Sequence, residues 1–270
     1  MPDTLHRSRS PRVVVTRPAA EASHWVAGLK SQGIEAVALP LIDIGPVADP
    51  QPVREAWTCL GDYAAAMFVS ANAVAQFFQQ NLLDPSVKWS QFAIKTRAWS
   101  TGPGTSKALL RAGLAPGQID APADDAPQFD SEALWARVSA QVEPGQRVLI
   151  VRGGDAAGQG AGRDWLGERL AAAGIQVDRL VAYRRLAPVL AGDQLALARA
   201  AATDGSVWLF SSSEAISNLV AQLPGQNWGA ARAVATHARI AESARRAGFG
   251  VVCESRPALD AVGASIKSFE

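Results

Sequence analysis

The amino-acid sequence predicts an α/β protein with two similar domains, each built around a parallel β-sheet. Three observations support this fold class: short apolar segments alternate with amphipathic ones, three such pairs recur in the same order, and two proline-bearing extended segments follow the first and fourth pairs. Continuous apolar strands followed by helices with 3.6-residue periodicity are typical of parallel sheets that helices cover on both faces.

Strand-like and helix-like segments alternate along the chain. Four of the pairs are RVVVT before AEASHWVAGLKSQG, AAMFVS before NAVAQFFQQNL, RVLIV before GRDWLGERLAAAG, and SVWLFS before SEAISNLVAQL. In the helix after RVLIV, which belongs to the fourth pair along the chain, Trp165, Leu166, Leu170 and Ala173 fall on one side, as packing against a sheet requires. Gly174 follows at the point where this helix ends and the strand IQVDRLVAYRR begins.

The strand–helix units also recur in order, which indicates an internal repeat. VVVTRP at residue 13 is echoed by VLIVRG at residue 148, and MFVSANAVAQFF at 67 by LFSSSEAISNLV at 209. AWSTGPGTSKALLRAGL at 98 is echoed by AVATHARIAESARRAGF at 233. Three matches in one order predict two similar three-unit halves, and therefore two domains rather than one long sheet.

Two apolar segments that contain proline, residues 38–50 and 179–192, are expected to connect the domains as a pair of strands. If they pair, one domain is discontinuous and comprises residues 1–43 plus 186–270. The other domain, residues 44–185, is inserted between these pieces. Two domains joined by two strands form a hinge with a cleft, and we expect a ligand to bind in that cleft.

The composition is that of an ordinary globular protein, with 48% hydrophobic residues, 19% charged residues and a formal net charge of +1. This balance gives no electrostatic reason to expect nucleic acid or an anionic membrane as a partner. No segment approaches the roughly 20 uninterrupted apolar residues of a membrane span, and no apolar signal-peptide run follows the polar, basic start MPDTLHRSRSPR. We therefore expect a cytoplasmic protein with a frayed tail of about ten residues.

The cysteines and histidines are too few and too scattered to predict a metal site. Cys59 and Cys253 lie far apart, and the three histidines form no ligand-spaced pair with them or with each other. Isolated cysteines also suit a reducing compartment, in which buried thiols act as small apolar side chains. Acidic pairs are scarce at the predicted strand ends, so neither magnesium nor a two-carboxylate mechanism is supported.

Polar residues, glycines and arginines follow the predicted strands, at the edge where ligands of open parallel sheets bind. Backbone amides at helix starts suit carboxylates or phosphates. The candidate substrate-binding residues are Thr16, Arg17, Ser70, Ala71, Asn72, Gly102, Thr105, Arg152, Gly153, Ser211, Ser212, Ser213, Thr236, His237 and Arg239, with Pro18, Thr101 and Gly104 beside them. Each Ser, Thr or Asn among them is also consistent with a simple helix N-cap.

Common catalytic and nucleotide-binding motifs are missing. The sequence has no G-x-S-x-G and no Walker A motif, although GPGTSK at 102–107 has a similar start. There, Lys107 either is solvated or reaches an anionic ligand. The glycine-rich segment after VRG lacks dinucleotide-binding spacing. We expect Arg152 and Gly153 to face the cleft, residues 154–161 to form a flexible insertion, and the next helix to begin near Gly162.

An ordered set of weak motifs resembles the uroporphyrinogen-III synthase family. The motifs are VVVTRP, FVSANAV, STGPGTSKALLRAGL, DSEALW, VLIVRGG with GRDWLGERLAAAGIQVDRLVAYRR, FSSSEAISNL and HARIAESARRAGFGVV, and they cover nearly the whole chain after the basic tail. The resemblance implies two flavodoxin-like domains joined by a two-stranded ladder, with the substrate between them. The implied reaction is cyclisation of hydroxymethylbilane, a linear tetrapyrrole with eight carboxylates, to uroporphyrinogen III.

That reaction loses water and inverts ring D, which makes the implied enzyme a hydro-lyase of tetrapyrrole and heme biosynthesis. The family uses no cofactor or metal. A polyanionic substrate would account for strand ends that are rich in amides and hydroxyls. We further expect a monomer that receives its substrate from the preceding enzyme of the pathway.

The resemblance implies one catalytic residue, Tyr183 in LVAYRR, one of two tyrosines in the chain. As a general acid it would assist the departing hydroxyl, and a phenol with a reference pKa near 10 is protonated at neutral pH. The alternative is a strand aromatic packed at the domain junction. Thr105 matches a family position associated with activity and is also expected to cap its helix.

The second-half counterpart of TGPGT departs from the family pattern, because it reads THARI. His237 there either binds a propionate or is a solvated cap, and Arg239 either pairs with a carboxylate or is solvated.

Two other functions fit some of these features. A hinge-cleft binding protein for an anionic small molecule needs the same donors, and only the placement of Tyr183 in the cleft or away from it separates the two classes. A nucleotide-sugar glycosyltransferase with twin Rossmann-like domains is disfavoured by the modest domain size and the missing phosphate-binding motifs.

Overall fold

A computed structural model describes residues 11–81, 89, 95–123, 126, 128–160 and 164–269. The chain divides into two compact units. The first unit comprises the described parts of Met1–Asp43 and Ala187–Glu270, and the second comprises those of Ile44–Leu186. Each unit contains one β-sheet with helices packed against it.

Strands and helices alternate as the sequence predicts. The strands are β1 (Val13–Val15), β2 (Ala36–Ala38), β3 (Asp43–Pro46), β4 (Ala65–Phe68), β5 (Arg97–Ser100), β6 (Ile119–Asp120), β7 (Arg147–Gly154), β8 (Gln176–Leu186), β9 (Val207–Phe210), β10 (Arg232–Ala235) and β11 (Val251–Glu254). The helices are α1 (Ala19–Ser31), α2 (Gln51–Thr58), α3 (Ala71–Asn81), α4 (Pro103–Arg111), α5 (Ser131–Val138), α6 (Trp165–Ala172), α7 (Asp193–Ala201), α8 (Ser213–Gln222), α9 (Ala238–Arg246) and α10 (Leu259–Lys267).

The first unit holds a five-stranded sheet in the order β11-β10-β9-β1-β2, and its neighbouring strands are parallel. The packing of strand β9 on both faces explains why its sequence is apolar throughout. Val207 and Leu209 belong to the core cluster that α1 and α10 cover, whereas Trp208 and Phe210 belong to an aromatic group that includes Phe249. A strand covered on both faces reads as one continuous hydrophobic run.

The second unit holds a six-stranded sheet in the order β3-β8-β7-β4-β5-β6. The pairs from β8 to β6 are parallel. Successive residues of β4 alternate between two hydrophobic clusters: Ala66 and Phe68 pack with α2 and α3, while Ala65 and Met67 pack with α5 and α6. This alternation is the two-residue period of a strand that is buried on both sides.

The two sheets confirm the internal repeat. The order β2-β1-β9-β10-β11 of the first unit corresponds to β8-β7-β4-β5-β6 of the second. The echoed segments therefore occupy equivalent places, with β1 matching β7, β9 matching β4 and β10 matching β5. In both sheets the direction in which the chain adds strands reverses at one point, between β1 and β9 and between β7 and β4. Such switch points are where open α/β sheets bind ligands.

The two extended segments that were expected to pair do so within the six-stranded sheet. Strand β3 lies beside β8 at the sheet edge, and a Cβ at Gly45 would lie 3.0 Å from the Leu186 side chain. The ligand cleft that the sequence suggests between the domains stays a prediction. No helix in the described part of the chain is long and apolar enough to cross a membrane.

The glycine-rich segment, expected as a flexible insertion over residues 154–161, contains a turn that the sequence did not predict, and its flexibility stays a prediction. Strand β7 continues to Gly154, which forms an antiparallel bridge with Gly160. Asp155 closes the turn, because its amide donates to the Gln159 carbonyl (2.8 Å) and its Oδ1 accepts from the Gln159 amide (2.9 Å). Residues 154–160 thus form a hydrogen-bonded hairpin. Residue 161 and the expected helix start near Gly162 lie outside the described residues.

At the amino end of β7 and β8, Tyr63 takes part in a polar cluster. Its hydroxyl donates to Asp178 Oδ2 (2.9 Å), which also accepts from Arg147 Nη2 (2.7 Å). The Arg147 guanidinium lies 4.6 Å from the centre of the Tyr63 ring. The pKa of Tyr63 is raised above its usual value. Burial of the phenol is the larger cause, and the hydrogen bond to the Asp178 carboxylate is the second.

We predict that replacing Tyr63 by Phe lowers the unfolding free energy at pH 8 by about 1 kcal/mol, since one partly buried hydrogen bond is lost. Because the folded state holds the phenol proton more tightly than the unfolded chain, this stabilisation is complete below the unfolded-chain pKa near 10 and is lost as the pH rises beyond it. Urea unfolding of the parent protein and of Tyr63→Phe at pH 8 and pH 11 measures the difference between their unfolding free energies. An equal difference at both pH values would contradict the raised pKa of Tyr63.

Candidate active site

The carboxyl edge of the six-stranded sheet brings together predicted residues from four adjacent strands. In the order β8-β7-β4-β5, the edge presents Tyr183, then Arg152 and Gly153, then Ser70, and then the turn that begins α4. The switch point between β7 and β4 falls in the middle of this group. The sheet order thus confirms that these residues, far apart in sequence, share one edge.

A β-bulge sets the direction of Tyr183. Strands β7 and β8 pair in parallel, with Arg152 opposite Val181 and Gly153 opposite Tyr183, so that Ala182 is an extra residue of β8. Alternate residues of a regular strand face opposite sides of the sheet. Because of the bulge, Tyr183 instead joins Ala182 in the hydrophobic cluster on the α3 side.

The Tyr183 side chain is buried along its ring and hydrogen-bonded at its end. The residue is 4% exposed, and its ring belongs to the cluster that contains Phe68 and Phe77. Its hydroxyl lies 3.0 Å from Ser70 Oγ, with either group able to donate. Ser70 Oγ also accepts from the Ala73 amide (3.1 Å) and so caps the first turn of α3. The phenol is therefore held at a helix start on the carboxyl edge, although most of its ring packs as a structural aromatic does.

The other predicted residues after β4, Ala71 and Asn72, form the start of α3. Their backbone amides belong to the first turn, at the helix end whose dipole attracts anions. The hydroxyl of Thr101, after β5, donates to the Val69 carbonyl (3.3 Å) and ties the ends of β4 and β5 together.

Arg152 lies on the opposite face of the same sheet. It is buried, its Nη1 lies 3.6 Å from Asp164 Oδ1, and Asp164 Oδ2 accepts from Arg179 Nε at 2.6 Å. Asp164 precedes α6 at its N-cap position. The Arg152 charge is thus partly balanced within the chain and fixed beside a shallow depression that Met67 and Ile150 also line.

The turn before α4 is organised by a residue that the sequence did not single out, Ser100. This fully buried residue donates to the Gly102 carbonyl (2.9 Å) and accepts from Ser106 Oγ (2.9 Å). Gly102 occupies the N-cap position without a side-chain cap, and Thr105 is buried in the first turn. The expectation that Thr105 caps its helix is therefore wrong. The serine spacing in STGPGTS was the available signal for Ser100.

The five-stranded sheet presents a second group at its own carboxyl edge. The neighbouring strands β10, β9 and β1 are followed directly by Thr236, Ser211 and Thr16. The Thr16 hydroxyl donates to the Leu209 carbonyl (2.7 Å), so it extends the sheet ladder. After β9, Ser212 caps α8 by accepting from the Glu214 amide at 3.2 Å. Ser212 is thus a helix cap, as the simple N-cap interpretation expects, whereas the Thr16 hydroxyl is bound to a strand carbonyl.

Ser213 lies in the first turn of α8, where its Oγ is 3.0 Å from Ser243 Oγ of α9. This contact joins the two helices that flank the edge. Sequence reasoning did not single out Ser243.

Arg17, which follows β1, is held by two contacts and has one buried nitrogen without a partner in the part of the chain that the structure describes. Its Nη1 pairs with Glu21 at 3.0 Å, its guanidinium lies 4.5 Å from the centre of the Trp25 ring, and its Nε is buried without a hydrogen-bond partner among the described residues. Burial lowers the pKa of Arg17 from its usual value, while Glu21 opposes that shift. An incoming carboxylate could offset the desolvation of this guanidinium.

His237 is an exposed helix cap. Its Nδ1 accepts from the Arg239 amide at 3.1 Å, at the start of α9. Arg239 is exposed as well. Of the two roles left open for His237, the structure shows the cap, and binding to a propionate stays a prediction. No group of three His, Cys, Asp or Glu side chains within the described ranges is placed to hold a metal ion.

Comparison with known proteins adds to this geometry. A model of the uroporphyrinogen-III synthase HemD family matches residues 23–263. The chain belongs to this family. The resemblance inferred from the ordered motifs is therefore confirmed, and with it the expected activity, the lyase reaction that cyclises hydroxymethylbilane in tetrapyrrole biosynthesis.

Individual relatives agree with the family assignment. The chain is 28% identical over 221 residues to the uroporphyrinogen-III synthase of Synechococcus elongatus, covering 81% of this chain and 78% of the relative. It is 30% identical over 185 residues to that of Chlorobaculum parvum, covering 67% of each. It is 27% identical over 245 residues to that of Escherichia coli, covering 88% of this chain and 92% of the relative.

Solved structures share the fold. Uroporphyrinogen-III synthetase from Helicobacter pylori superposes with a TM-score of 0.58 at 15% identity, covering 96% of this chain and all of the other. A mutant uroporphyrinogen III synthase from Thermus thermophilus superposes with a TM-score of 0.57 at 16% identity, covering 96% and 97%. These likenesses confirm the α/β architecture with parallel-sheet domains.

The capping role of His237 predicts how substitutions there change stability. Replacing His237 by Ala removes the acceptor for the Arg239 amide and should lower the unfolding free energy by about 1 kcal/mol. Replacing it by Asn, a favourable N-cap residue, should keep stability within about 0.5 kcal/mol of the parent. Urea unfolding measures both variants, and equal losses for Ala and Asn would contradict a capping role.

Proposed function

We propose that this member of the uroporphyrinogen-III synthase family forms uroporphyrinogen III with Tyr183 as its general acid. The observation that carries the assignment is the 3.0 Å contact between the Tyr183 hydroxyl and Ser70 Oγ. This contact places a phenol proton at the carboxyl edge beside the switch point, where an open α/β sheet binds its ligand. Tyr63, the other tyrosine, lies at the amino end of β7 and β8 and serves as a natural control.

The reaction requires one proton donor beside the departing hydroxyl group of the substrate. In hydroxymethylbilane the C–O bond of the hydroxymethyl group breaks, and the electron pair of the adjacent pyrrole nitrogen forms the double bond of an azafulvene. The oxygen leaves as water with the proton of Tyr183. Because ring D is inverted in the product, its substituted α-carbon attacks the freed methylene first, and the older bond from that carbon to the bridging methylene of ring C then breaks. The free α-carbon of ring D joins that bridging methylene, and the proton this carbon loses returns to the phenolate. Proton transfer by a positioned side chain contributes typically 10²–10⁴-fold to a rate.

The carboxylates of the substrate need donors rather than catalytic groups. We assign this role to the backbone amides in the first turns of α3, α4, α8 and α9, since helix N-termini present N–H donors and a positive partial charge to anions. Arg17 and Arg152 add positive charge at the same edges. Both arginines have an acidic neighbour, Glu21 or Asp164, which holds the guanidinium in place before substrate arrives. Holding a flexible chain in one geometry is itself a large source of rate.

The remaining features of the proposal concern the setting of the reaction. We infer a cytoplasmic monomer that takes its substrate from the enzyme that produces it. The near-neutral net charge of +1 supports a small-molecule substrate in place of nucleic acid or an anionic membrane. The loss of hydroxide as water needs only proton transfer, so the proposal includes no cofactor and no metal.

The experiment supplies hydroxymethylbilane to the purified protein, oxidises the products and separates the type I and type III uroporphyrin isomers. We expect the type III isomer from the parent protein. Replacing Tyr183 by Phe should slow its formation about ten-fold or more while the fold is kept, because the general-acid proton is lost. The Tyr63→Phe variant removes a phenol far from the edge and should keep the parental rate.

Two outcomes would overturn the proposal at different levels. If the parent protein gives only the type I isomer of spontaneous closure, the function is wrong, and an anion-binding module without catalysis becomes the better interpretation. The 4% exposure of Tyr183 is the observation that favours that alternative. If the parent gives type III and Tyr183→Phe retains its rate, the function stands and the role of Tyr183 is wrong.

A further inference from the structure

Gly153 lies directly beneath the phenol of Tyr183. A Cβ built on Gly153 would lie 2.5 Å from Tyr183 Cζ, 2.7 Å from Cε2 and 2.8 Å from the hydroxyl oxygen. Side-chain carbons do not approach other atoms this closely, because their van der Waals contact begins near 3.5 Å. Any other residue at position 153 therefore displaces the ring.

The sheet order explains why the ring crosses this position. Tyr183 lies on β8 and Ser70 follows β4, with β7 between them. Neighbouring strands are about 4.8 Å apart, so the hydroxyl reaches Ser70 only if the ring passes over β7. It does so at Gly153, the register partner of Tyr183 after the bulge. The missing side chain provides the space for that passage.

The backbone of Gly153 does not itself require glycine. The positive-φ glycines of the chain include Gly158 and Gly174, and Gly153 is not among them. Glycine is often retained where another group must approach the backbone closely. At position 153 the constraint is therefore space for the tyrosine ring.

We propose that Gly153 is a positioning residue for the cyclisation, because its lack of a side chain lets the Tyr183 phenol cross β7 and place its hydroxyl beside Ser70. The proposal deepens the proposed function and rests on the role of Tyr183 given there. Gly153 thus acts through Tyr183, and its first effect is on where the phenol lies.

The neighbouring residue Gly154 supplies a matched control. A Cβ there would also be crowded, lying 2.8 Å from Val181 Cγ1 and 3.0 Å from the Gln159 carbonyl oxygen, with no Tyr183 atom among its nearest contacts. Replacing Gly154 by Ala therefore adds the same methyl to the same strand and strains the hairpin, while leaving the path of the phenol open.

The position of the phenol can be observed without any activity. The chain has two tyrosines, so protein labelled with 3-fluorotyrosine gives two ¹⁹F resonances, and Tyr63→Phe assigns the remaining one to Tyr183. We expect Gly153→Ala to shift the Tyr183 resonance and leave that of Tyr63 in place. Gly154→Ala should move the Tyr183 resonance far less. An unmoved Tyr183 resonance in Gly153→Ala would overturn the proposal.

The rate of type III isomer formation then tests whether the position of the Tyr183 phenol affects the reaction. Gly153→Ala should slow formation of the type III isomer about ten-fold or more, as Tyr183→Phe does. The double variant should be no slower than Tyr183→Phe alone, since residues that act through one another are not additive. Gly154→Ala should retain most of the parental rate. Additive losses, or parental turnover in Gly153→Ala, would show that Gly153 does not act through Tyr183 in the reaction.

If Gly153→Ala does not fold, the proposal is tested by relief of the clash. Adding Tyr183→Ala removes the ring and should restore the folded state seen by circular dichroism, whereas a persistent loss would contradict the contact. The failure of the proposed function is separate from these outcomes, because it shows as type I product from the parent protein. The ¹⁹F shift does not depend on that result.

Discussion

The passage of one phenol ring across one strand organises the candidate active site. Tyr183 reaches Ser70 only because a bulge in β8 turns it to the α3 side and because Gly153 leaves the surface of β7 open. Ser70 in turn is fixed by its cap to the Ala73 amide. Each of these features is local, and together they fix the phenol hydroxyl at the switch point of the sheet, where we propose that it donates its proton.

Several polar side chains at the two carboxyl edges form hydrogen bonds within the fold. Thr16 completes a strand ladder, and Ser212 and His237 cap helices. A capping side chain accepts from one amide of the first helix turn. The other amides of that turn precede the regular hydrogen bonds of the helix. In the proposed function, a polyanionic substrate is therefore held mainly by backbone donors, whose positions the caps fix in advance. Arg17 and Arg152, each beside a carboxylate, add charge without free rotation.

Much of the architecture was predictable from the sequence because it follows from repetition. The echoes between VVVTRP and VLIVRG, and between FVSANAV and FSSSEAI, correspond to strands in equivalent places of the two sheets. The direction of Tyr183 was not predictable, since two-residue alternation assigns it to the wrong face and a single-residue bulge leaves no periodic signal. The hairpin at 154–160 was not predictable, because its turn depends on the Asp155–Gln159 hydrogen bonds. A glycine after a strand is also typical of a loop. Only the register of β8, which pairs Gly153 with Tyr183, shows that the tyrosine ring lies over this position.

The most direct measurement of the central claim is the pH dependence of turnover when the acidity of the phenol at position 183 is changed. Site-specific replacement of Tyr183 by a polyfluorinated tyrosine keeps the ring shape and makes the phenol more acidic. If Tyr183 supplies its proton to the departing hydroxyl, the alkaline limb of the rate profile should move to lower pH with the acidity of that phenol. A profile that stays where the parent protein has it, at the parental rate, would contradict the assignment of Tyr183 as the general acid.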